Sequence, residues 1–192
     1  MSKISYLNAM VDIVQTVYKK YKTVLPSVVL AQGGLESGWR ETSKTLFGIK
    51  GTGQTLMTQE FINGQYVTVS ANFKTYSNLT EAVIQYYELM NNSRYAAVKD
   101  LKTAEEQIKF IHKAGYATDP NYSEKIIKII SQNNLTQYDN VEFNSTTKLS
   151  NEEVAKLVIK GDYGNGSERI RRLTNEGYNY QEVQRIVNQM LK

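Results

Sequence analysis

One carboxylate in this sequence has the surroundings expected of a general acid. Glu36 ends an apolar segment and is followed by Ser-Gly and then by Trp39, the only tryptophan of the chain. A second glycine-containing run, Phe-Gly-Ile-Lys-Gly, starts eight residues after Trp39. Burial beside apolar groups disfavours the ionised carboxyl, which then keeps its proton near neutral pH and can give it to a leaving oxygen. The pattern suits a glycosidase acid beside an aromatic platform for a sugar. The alternative is an ordinary solvated Glu at a helix end.

Two helices are predicted to position Glu36. Apolar residues recur at helical spacing from Ile4 to Tyr21, which predicts a first helix that ends near Lys22. Pro26 suits the first turn of the next helix, where its missing N–H costs nothing, and Glu36 then lies at the C-terminal end of that helix. The negative end of the helix dipole also disfavours ionisation there, so helix position and burial both favour a protonated acid.

A second carboxylate, Glu60, lies in a stretch with β periodicity. Between residues 55 and 76 the apolar period changes to two, and an Asn-Gly pair stands at positions 63–64. This pair is a strong signal for a two-residue hairpin turn, and the register that follows pairs Glu60 with Val67. We therefore predict a small hairpin that carries Glu60 on one strand.

Helical patterns return after the hairpin. Thr103 and Glu106 have capping-box spacing, and Asp119 before Pro120 is typical of an N-cap followed by the first helical residue. Helices are predicted over residues 79–90, 103–114 and 120–132. Residues 137–148 are polar and lack a helical period, so they are predicted to be a linker between a catalytic domain (1–136) and a smaller helical domain (149–192). In the smaller domain, Ser150 and Glu153 have capping-box spacing, helices are predicted to end at Gly161 and Gly177, and Asn179 is predicted to start the last helix.

Composition limits the possible chemistry. The chain has 192 residues, no Cys and one His, with a net charge of +4. It therefore has no cysteine nucleophile, no disulfide framework and no His/Cys zinc cage, and we expect no metal or other cofactor. The mild positive charge favours an anionic partner such as a bacterial wall. We expect no nucleic acid and no membrane as partner, because there is no strongly basic run with interleaved aromatics and no apolar run of about 20 residues.

Four runs of the sequence, taken together, resemble a known family. They are Leu-Glu-Ser-Gly-Trp at 35–39, Leu-Phe-Gly-Ile-Lys at 46–50, Thr-Gln-Glu-Phe at 58–61 with Asn-Gly at 63–64, and Ala-Gly-Tyr-Ala-Thr-Asp-Pro-Asn-Tyr at 114–122. In this order and spacing they resemble the glucosaminidase family, glycoside hydrolase family 73, over about residues 3–135. The resemblance implies a mainly α (α+β) fold, with a lysozyme-like helical lobe and a small β-hairpin lobe. It also implies hydrolysis of the β-1,4 bond after N-acetylglucosamine in peptidoglycan.

The same resemblance implies roles for particular side chains. Glu36 would be the general acid, Glu60 the second carboxylate, and Tyr116 would position the acetamido group or stabilise positive charge. If the 2-acetamido group itself attacks the anomeric carbon, Glu60 becomes an assistant. The candidates for substrate binding are Trp39, Phe47, Lys50 and Tyr122. Packing in the core is the alternative for the three aromatic residues among them, and a solvated strand position is the alternative for Glu60.

The C-terminal part resembles a different family. Residues 150–191, with their glycine spacing, are similar to the cell-wall-binding repeat of a pneumococcal phage lysozyme that does not depend on choline. This resemblance implies a three-helix bundle that binds the muropeptide of peptidoglycan. Tyr163 stands where the usual pattern has Trp, so an aromatic side chain is retained. The candidates for the ligand surface are Asp162, Tyr163, Arg169, Arg172 and Tyr178. The alternative is that the arginines are ordinary surface charges and Tyr178 is a core residue.

The two resemblances together predict a phage endolysin whose partner is peptidoglycan. No signal peptide is recognisable at the N-terminus, so we expect synthesis in the host bacterial cytoplasm and release through a holin at lysis. One alternative is a lytic transglycosylase or muramidase of the same fold, against which the Glu60 hairpin and the run at 114–120 argue. The other alternative is a non-enzymatic wall-binding protein with a decayed site, against which the presence of both carboxylates argues.

Overall fold

The computed structural model describes residues 3–141, 150–175 and 178–191, and the chain divides into two compact units. The first unit contains the described residues up to Val141, and the second contains those from Ser150 onward. The predicted linker therefore begins too early. Tyr138 accepts a hydrogen bond from the Gln15 side chain, so this part of the chain is packed into the first unit. Residues 142–149 of the predicted linker lie outside the described residues.

The first unit is mainly helical with one antiparallel hairpin. Its elements in chain order are α1 (Lys3–Tyr21), α2 (Pro26–Ser37), β1 (Gly53–Ile62), β2 (Gln65–Lys74), α3 (Leu79–Met90), a 3-10 helix (Ala96–Asp100), α4 (Ala104–Lys113), α5 (Tyr122–Gln132) and a second 3-10 helix (Leu135–Tyr138). The predicted helices and hairpin are confirmed, whereas neither 3-10 helix was predicted. The expectation of a mainly helical fold with a small hairpin is confirmed.

The start of α5 differs from the prediction. Asn121, and not Asp119, is the N-cap residue, and the helix begins at Tyr122. The carboxylate of Asp119 is used differently, because it accepts hydrogen bonds from the Tyr66 hydroxyl and from Lys125. Asp119 does not cap the helix because its carboxylate binds side chains from β2 and from α5 itself.

The α2 helix lies at the centre of the first unit. Its residues from Pro26 to Gly34 are buried, and it packs against α1, α4, α5 and the second 3-10 helix. Side chains from distant parts of the chain satisfy the amides at its start. Gln107 accepts a hydrogen bond from the Leu25 amide at 2.8 Å, and the Asp139 carboxylate accepts from the amide and the hydroxyl of Ser27, each at 2.7 Å. These bonds satisfy donors that the helix itself leaves unpaired, and a carboxylate is favoured at this end of the dipole.

The hairpin has the predicted register. Glu60 pairs with Val67 in the antiparallel ladder between β1 and β2. The turn residues Asn63 and Gly64 have φ values of 50° and 82°, the left-handed conformations that a tight two-residue turn with the strands' own twist requires. A further bridge pairs Lys50 with a residue of β2, so the loop after α2 is attached to the base of the hairpin.

The second unit is a small three-helix bundle within the residues described. Its helices are α6 (Asn151–Lys160), α7 (Gly166–Asn175) and α8 (Tyr180–Met190). Ser150 and Glu153 form the predicted capping box, Gly161 ends α6 in a left-handed conformation, and Asn179 caps α8. The predicted helix stop at Gly177 lies outside the described residues. Among those described, no helix is both long enough and apolar enough to span a membrane.

Candidate active site

Glu36 lies in the last turn of α2, where the helix leaves the core. The residue is exposed at the surface, yet protein groups adjoin its carboxyl on both sides, the Tyr122 hydroxyl at Oε1 and Gly48 near Oε2. Protein atoms therefore replace much of the water that would solvate an ionised carboxylate. This desolvation raises the pKa of Glu36 to about 7, a hydrogen bond from the Tyr122 hydroxyl opposes the rise, and the charge of Glu60 adds to it. A carboxyl group with such a pKa is still partly protonated at neutral pH, when an ordinary glutamate is ionised.

A chain of buried side chains leads from the core to Glu36. The Tyr86 hydroxyl donates to Oε1 of Gln32 at 2.5 Å, and Nε2 of Gln32 donates to the Tyr122 hydroxyl at 2.9 Å. The Tyr122 hydroxyl in turn donates to Oε1 of Glu36 at 3.0 Å. Gln32 and Glu36 are one helical turn apart on α2, so both face α5, which carries Tyr122.

Gly48 borders the other oxygen of the Glu36 carboxyl. It has a φ of 60°, and a Cβ atom at this position would lie 2.9 Å from Oε2 of Glu36. Glycine is therefore required twice here, for the left-handed backbone and for the space beside the carboxyl. A side chain at position 48 would press against this oxygen of the acid.

Glu60 is placed in a very different environment. Lys50 Nζ lies 2.6 Å from one of its carboxylate oxygens, and the Thr118 hydroxyl donates to the other at 2.6 Å. The hydrogen bonds from Lys50 and Thr118 lower the pKa of Glu60 below its ordinary value, against a weaker desolvation effect. Glu60 is thus kept ionised under conditions in which Glu36 keeps its proton.

The hairpin is tied to the loop that precedes α5. The Thr118 hydroxyl, which donates to Glu60, also accepts a hydrogen bond from the Phe61 amide at 3.0 Å. The Tyr66 hydroxyl on the partner strand donates to Asp119 at 2.9 Å, and Asp119 also pairs with Lys125. These bonds hold the Glu60 strand against the helical part of the unit.

Tyr116 supports the loop around Gly48 from behind. Its hydroxyl donates to the carbonyl oxygen of Phe47 at 2.8 Å, and its ring lies against those of Tyr86, Tyr95 and Tyr122. Burial raises the pKa of Tyr116 well above its ordinary value, so the hydroxyl stays protonated as a donor. In this arrangement Tyr116 holds the backbone beside the two carboxylates.

Two of the four predicted substrate-binding side chains lie in the core instead. Phe47 is fully buried and packs on the Tyr86 ring, and Tyr122 is 3% exposed and bonded to Glu36. The prediction that they contact the sugar is wrong, because neither ring has a surface to offer. Lys50 is well exposed and lies beside Glu60, so its role in substrate binding stays a prediction that its position allows.

Trp39 has protein contacts that fit the packing alternative. Its ring makes an edge-to-face contact with Tyr6 at a centroid distance of 5.3 Å, and Lys3 Nζ lies 5.2 Å from the ring centroid. A Cβ atom at Gly34 would lie 2.9 Å from this ring, so the absence of a side chain at position 34 leaves space for the ring. Trp39 also has a φ of 62°, a strained value for an aromatic residue that follows the helix end. Its role in stacking against sugar stays a prediction.

Two of the five residues predicted to bind the wall lie in the core of the second unit. Tyr163 is 7% exposed and Tyr178 is 9% exposed, and both belong to the cluster around Val154 and Leu173. Their aromatic faces are therefore covered by the bundle, and the prediction that they form the ligand surface is wrong.

The two arginines hold the glycine-rich turn between α6 and α7. Arg169 donates to the Gly164 carbonyl at 3.1 Å, and its guanidinium also bonds the side chains of Asn165 and Gln184. Arg172 donates to the carbonyl of Asp162 at 3.1 Å and pairs with Glu168. The Asp162 side chain is exposed, so it remains a candidate for the ligand surface, with Arg172 beside it.

Several residues that matter to the site were not predicted from sequence. No role was predicted for Gln32, Tyr86 or Thr118, although Thr118 lies in one of the four runs that carry the family resemblance. Their importance lies in contacts between residues far apart in the chain, such as the 54 positions that separate Tyr86 from Gln32. The occurrence of a glutamine inside a run of buried helix positions was the one available signal. Within the described ranges, no group of three or more His, Asp or Glu is placed to hold a metal ion.

Comparison with known proteins identifies the first unit. The sequence model described as mannosyl-glycoprotein endo-β-N-acetylglucosaminidase (Glucosaminidase) matches residues 11–135, and that of the CW_7 repeat matches residues 152–191. The peptidoglycan hydrolase FlgJ of Salmonella typhimurium is 40% identical over 121 residues, which cover 55% of this chain and 38% of FlgJ. The exo-glucosaminidase LytG of Bacillus subtilis is 34% identical over 142 residues, which cover 66% of this chain and 50% of LytG. The chain thus spans half or less of the length of these relatives.

A solved structure supports the same assignment. The catalytic domain of the autolysin Auto from Listeria monocytogenes superposes with a TM-score of 0.58 at 30% identity, over 71% of this chain and 87% of that domain. The matched sequence range includes α2 with Glu36, the hairpin with Glu60 and the start of α5 with Tyr122. Since the family model matches more than half of its residues, the chain belongs to the glucosaminidase family.

Proposed function

We propose that the chain is an endo-β-N-acetylglucosaminidase that hydrolyses the β-1,4 bond after N-acetylglucosamine in bacterial peptidoglycan. The observation that carries this proposal is that Glu36 and Glu60 interact electrostatically and have pKa values shifted in opposite directions. Desolvation by the surrounding protein raises the pKa of Glu36 to about 7, while hydrogen bonds from Lys50 and Thr118 lower that of Glu60. Such a pair divides the acid role and the anionic role between two residues. Membership of the glucosaminidase family, and relatives named as a peptidoglycan hydrolase and an exo-glucosaminidase, support the substrate.

The reaction begins with proton transfer from Glu36. As the bond between the anomeric carbon and the glycosidic oxygen breaks, its electron pair goes to that oxygen, which takes the proton of Glu36. Positive charge then develops on the sugar ring, where the ionised Glu60 stabilises it. Water finally supplies the hydroxyl of the new reducing end, and its remaining proton returns to Glu36 either directly or by way of Glu60.

The second carboxylate has two possible roles. Glu60 either accepts a proton from the attacking water, or it stabilises the cationic transition state while the 2-acetamido group attacks the anomeric carbon. The ion pair with Lys50 and the bond from Thr118 reduce the proton affinity of Glu60. These contacts favour the stabilising role over that of a general base.

The products of peptidoglycan digestion test the proposal. Purified peptidoglycan is digested with the parent and with Glu36→Gln, reduced with borohydride and analysed by mass spectrometry. We expect reduced N-acetylglucosamine ends from the parent and none from the variant. Glu124→Gln is a matched control, because it makes the same change at an exposed position of α5 and should leave the products unchanged.

The other outcomes identify the alternatives. Anhydromuramic ends would make the chain a lytic transglycosylase, and reducing muramic acid ends would make it a muramidase. If neither protein released fragments, the chain would be a non-enzymatic wall binder. Equal product formation by parent and Glu36→Gln would refute the assignment of the acid.

We also propose that the second unit binds the muropeptide of peptidoglycan, and that the whole chain acts as a phage endolysin released from the host cytoplasm through a holin. The match of residues 152–191 to the CW_7 repeat supports wall binding. Removal of residues 150–192 should reduce co-sedimentation with purified walls more than it reduces hydrolysis of soluble glycan fragments. Equal retention of the full chain and the shortened chain on walls would contradict the binding role. The endolysin role would be supported if a host that expresses the gene lysed only when a holin was co-expressed.

A further inference from the structure

The hydrogen-bond chain behind Glu36 has a definite direction. Tyr86 is fully buried, and Oε1 of Gln32 is the acceptor that its hydroxyl proton finds among the described residues. This bond fixes the amide of Gln32 with its nitrogen toward Tyr122, since the reverse orientation would leave the proton of Tyr86 buried without an acceptor. Nε2 of Gln32 then donates to the oxygen of Tyr122.

The direction of this series of hydrogen bonds determines where the proton of Tyr122 goes. A phenol has one proton to donate, and its oxygen already accepts from Gln32. Among the described residues, the remaining neighbour of this hydroxyl at hydrogen-bond distance is Oε1 of Glu36, at 3.0 Å. The hydroxyl of Tyr122 therefore donates to Oε1 whether Glu36 is protonated or ionised.

We propose that Tyr122, oriented by Gln32 and Tyr86, is a positioning residue that keeps Oε1 of Glu36 as an acceptor and so places the acid proton on Oε2. This inference rests on the proposed role of Glu36 as the general acid. It deepens that role, because it assigns the transferred proton to one of the two carboxyl oxygens. Neither Gln32 nor Tyr86 touches the substrate in this arrangement; both act through Tyr122.

The surroundings of Oε2 fit this assignment. The space beside Oε2 is left by Gly48, where a side chain would approach to 2.9 Å. Glu36 is exposed, and its hydrogen bond among the described residues is made by Oε1, so a proton on Oε2 can be given to a glycosidic oxygen. A proton on Oε1 would instead oppose the hydroxyl hydrogen of Tyr122, two donors facing each other across 3.0 Å.

The groups around Glu36 set the sign of the expected pH effect. Tyr122 on α5 stabilises the ionised form, Glu60 on β1 destabilises it, and Lys50 partly neutralises Glu60. Tyr116 also lies close enough to interact with Glu36, but its hydroxyl is bonded to a backbone carbonyl. Loss of the Tyr122 hydroxyl removes a bond that favours the carboxylate, so the pKa of Glu36 should rise and the acid should stay protonated to higher pH.

The test measures the titration of Glu36 directly in the full chain. The side-chain carboxyl carbons are labelled with ¹³C, the Glu36 resonance is assigned by its loss in Glu36→Gln, and its pH titration is followed in the parent and in Tyr122→Phe. We expect the midpoint to move upward by about one pH unit, which corresponds to tenfold in proton affinity. The alkaline limb of kcat should move upward with it, while the plateau of kcat falls by about tenfold at an unchanged KM because the proton is no longer held on one oxygen.

Tyr87→Phe is the matched control. Tyr87 is the neighbour of Tyr86 on α3, equally buried, and its hydroxyl donates to the carbonyl of Val24 at 2.9 Å. This variant also loses one buried hydroxyl bond, so it should lower the melting temperature without moving the titration of Glu36. Tyr86→Phe releases the amide of Gln32, and it should move the midpoint in the same direction as Tyr122→Phe but by less.

The outcomes separate the inference from the proposed function. An unchanged or lower midpoint in Tyr122→Phe overturns the inference, as does a shift of the same size in Tyr87→Phe. If Tyr122→Phe does not fold, the titration of Tyr86→Phe decides between the same results. If Glu36→Gln hydrolyses peptidoglycan as the parent does, the acid role fails, although the midpoint still reports whether Tyr122 orders the carboxyl.

Discussion

The two carboxylates of the candidate site are supported by different parts of the molecule. Glu36 receives its hydrogen bond through Tyr122, Gln32 and Tyr86, whose exposed fractions are 3%, 0% and 0%. Glu60 is held by Lys50, whose side chain is 62% exposed, and by the exposed Thr118. The acid is thus organised from the core, whereas its partner is organised from the surface.

Because of this difference, stability and activity are linked around Glu36 and are largely independent around Glu60. Buried hydrogen bonds around Glu36 are costly to break, because a partner left unsatisfied in the core costs about 1–3 kcal/mol. The ion pair at Glu60 contributes little to stability, about 0–1 kcal/mol, because water competes for its lysine, although the Glu60 side chain itself is only 14% exposed. Changes behind Glu36 should therefore affect folding and catalysis together, and changes around Glu60 should affect catalysis almost alone.

The largest expected effect comes from comparing the two carboxylates directly. Glu36→Gln removes the proton donor and should lower kcat by about 10²–10⁴-fold, the usual contribution of general acid catalysis. Glu60→Gln keeps the donor and removes only a charge, so its loss should be smaller. Rates of release of reducing ends from purified peptidoglycan measure both. A greater loss from Glu60→Gln than from Glu36→Gln would reverse the proposed roles.

The second prediction concerns the space beside the acid. Gly48→Ala should lower kcat by at least about tenfold, because its Cβ would press on Oε2 of Glu36 and displace the carboxyl. Gly64→Ala is the matched control, since Gly64 has a φ of 82° but open space around it. Both variants should lose about 1–2 kcal/mol from the left-handed backbone. Equal activity of the two at a temperature where both are folded would contradict the crowding argument.

The third prediction weakens the ties of Glu60. Thr118→Val removes a donor that favours the ionised form, so the lowered pKa of Glu60 should rise toward its ordinary value. Activity that requires ionised Glu60 would then be lost at a higher pH, and the acidic limb of kcat should move upward by less than about one pH unit. Tyr66→Phe breaks the neighbouring bond to Asp119 without touching Glu60 and should leave that limb in place. An equal shift of the acidic limb in both variants would contradict this, because it would mean that the attachment of the whole hairpin, and not the bond from Thr118, sets the pKa of Glu60.

The smallest expected effect lies at the start of α2, far from the chemistry. Asp139→Ala removes the acceptor for the Ser27 amide and hydroxyl and should destabilise the first unit by about 1–2 kcal/mol, as measured by denaturant unfolding. Burial raises the pKa of Asp139 in the folded state, so ionisation costs stability there. Unfolding free energy of the parent should accordingly fall, relative to Asp139→Asn, as pH rises through the raised pKa. Both limbs of kcat should stay where they are.

Much of the fold could be predicted because the signals are local. The capping box of Thr103 and Glu106, the Asn-Gly turn and the helix stop at Gly161 each depend on a few neighbouring residues, and all three are present in the structure. Glu36 at the end of α2 follows from the same kind of local pattern. The position of both carboxylates on their elements was therefore accessible from the sequence.

The contacts that tune these carboxylates were not accessible in the same way. An aromatic residue beside a glycine has the same appearance whether it faces a sugar or the core, which is why Phe47, Tyr163 and Tyr178 were misassigned. Thr118 was missed because its partner, Glu60, is 58 residues away. Sequence periodicity gives the face of an element, but not the side chain that will meet it from another part of the chain.

The bond between Asp139 and Ser27 has a practical consequence for module exchange. A designer who follows the polar composition would cut the chain near residue 137 and attach a different wall-binding module there. That cut discards Tyr138 and Asp139, which hold α1 and the first turn of α2. Chimaeras should retain the native sequence through Val141, so that the graft begins where these supporting contacts have already been made.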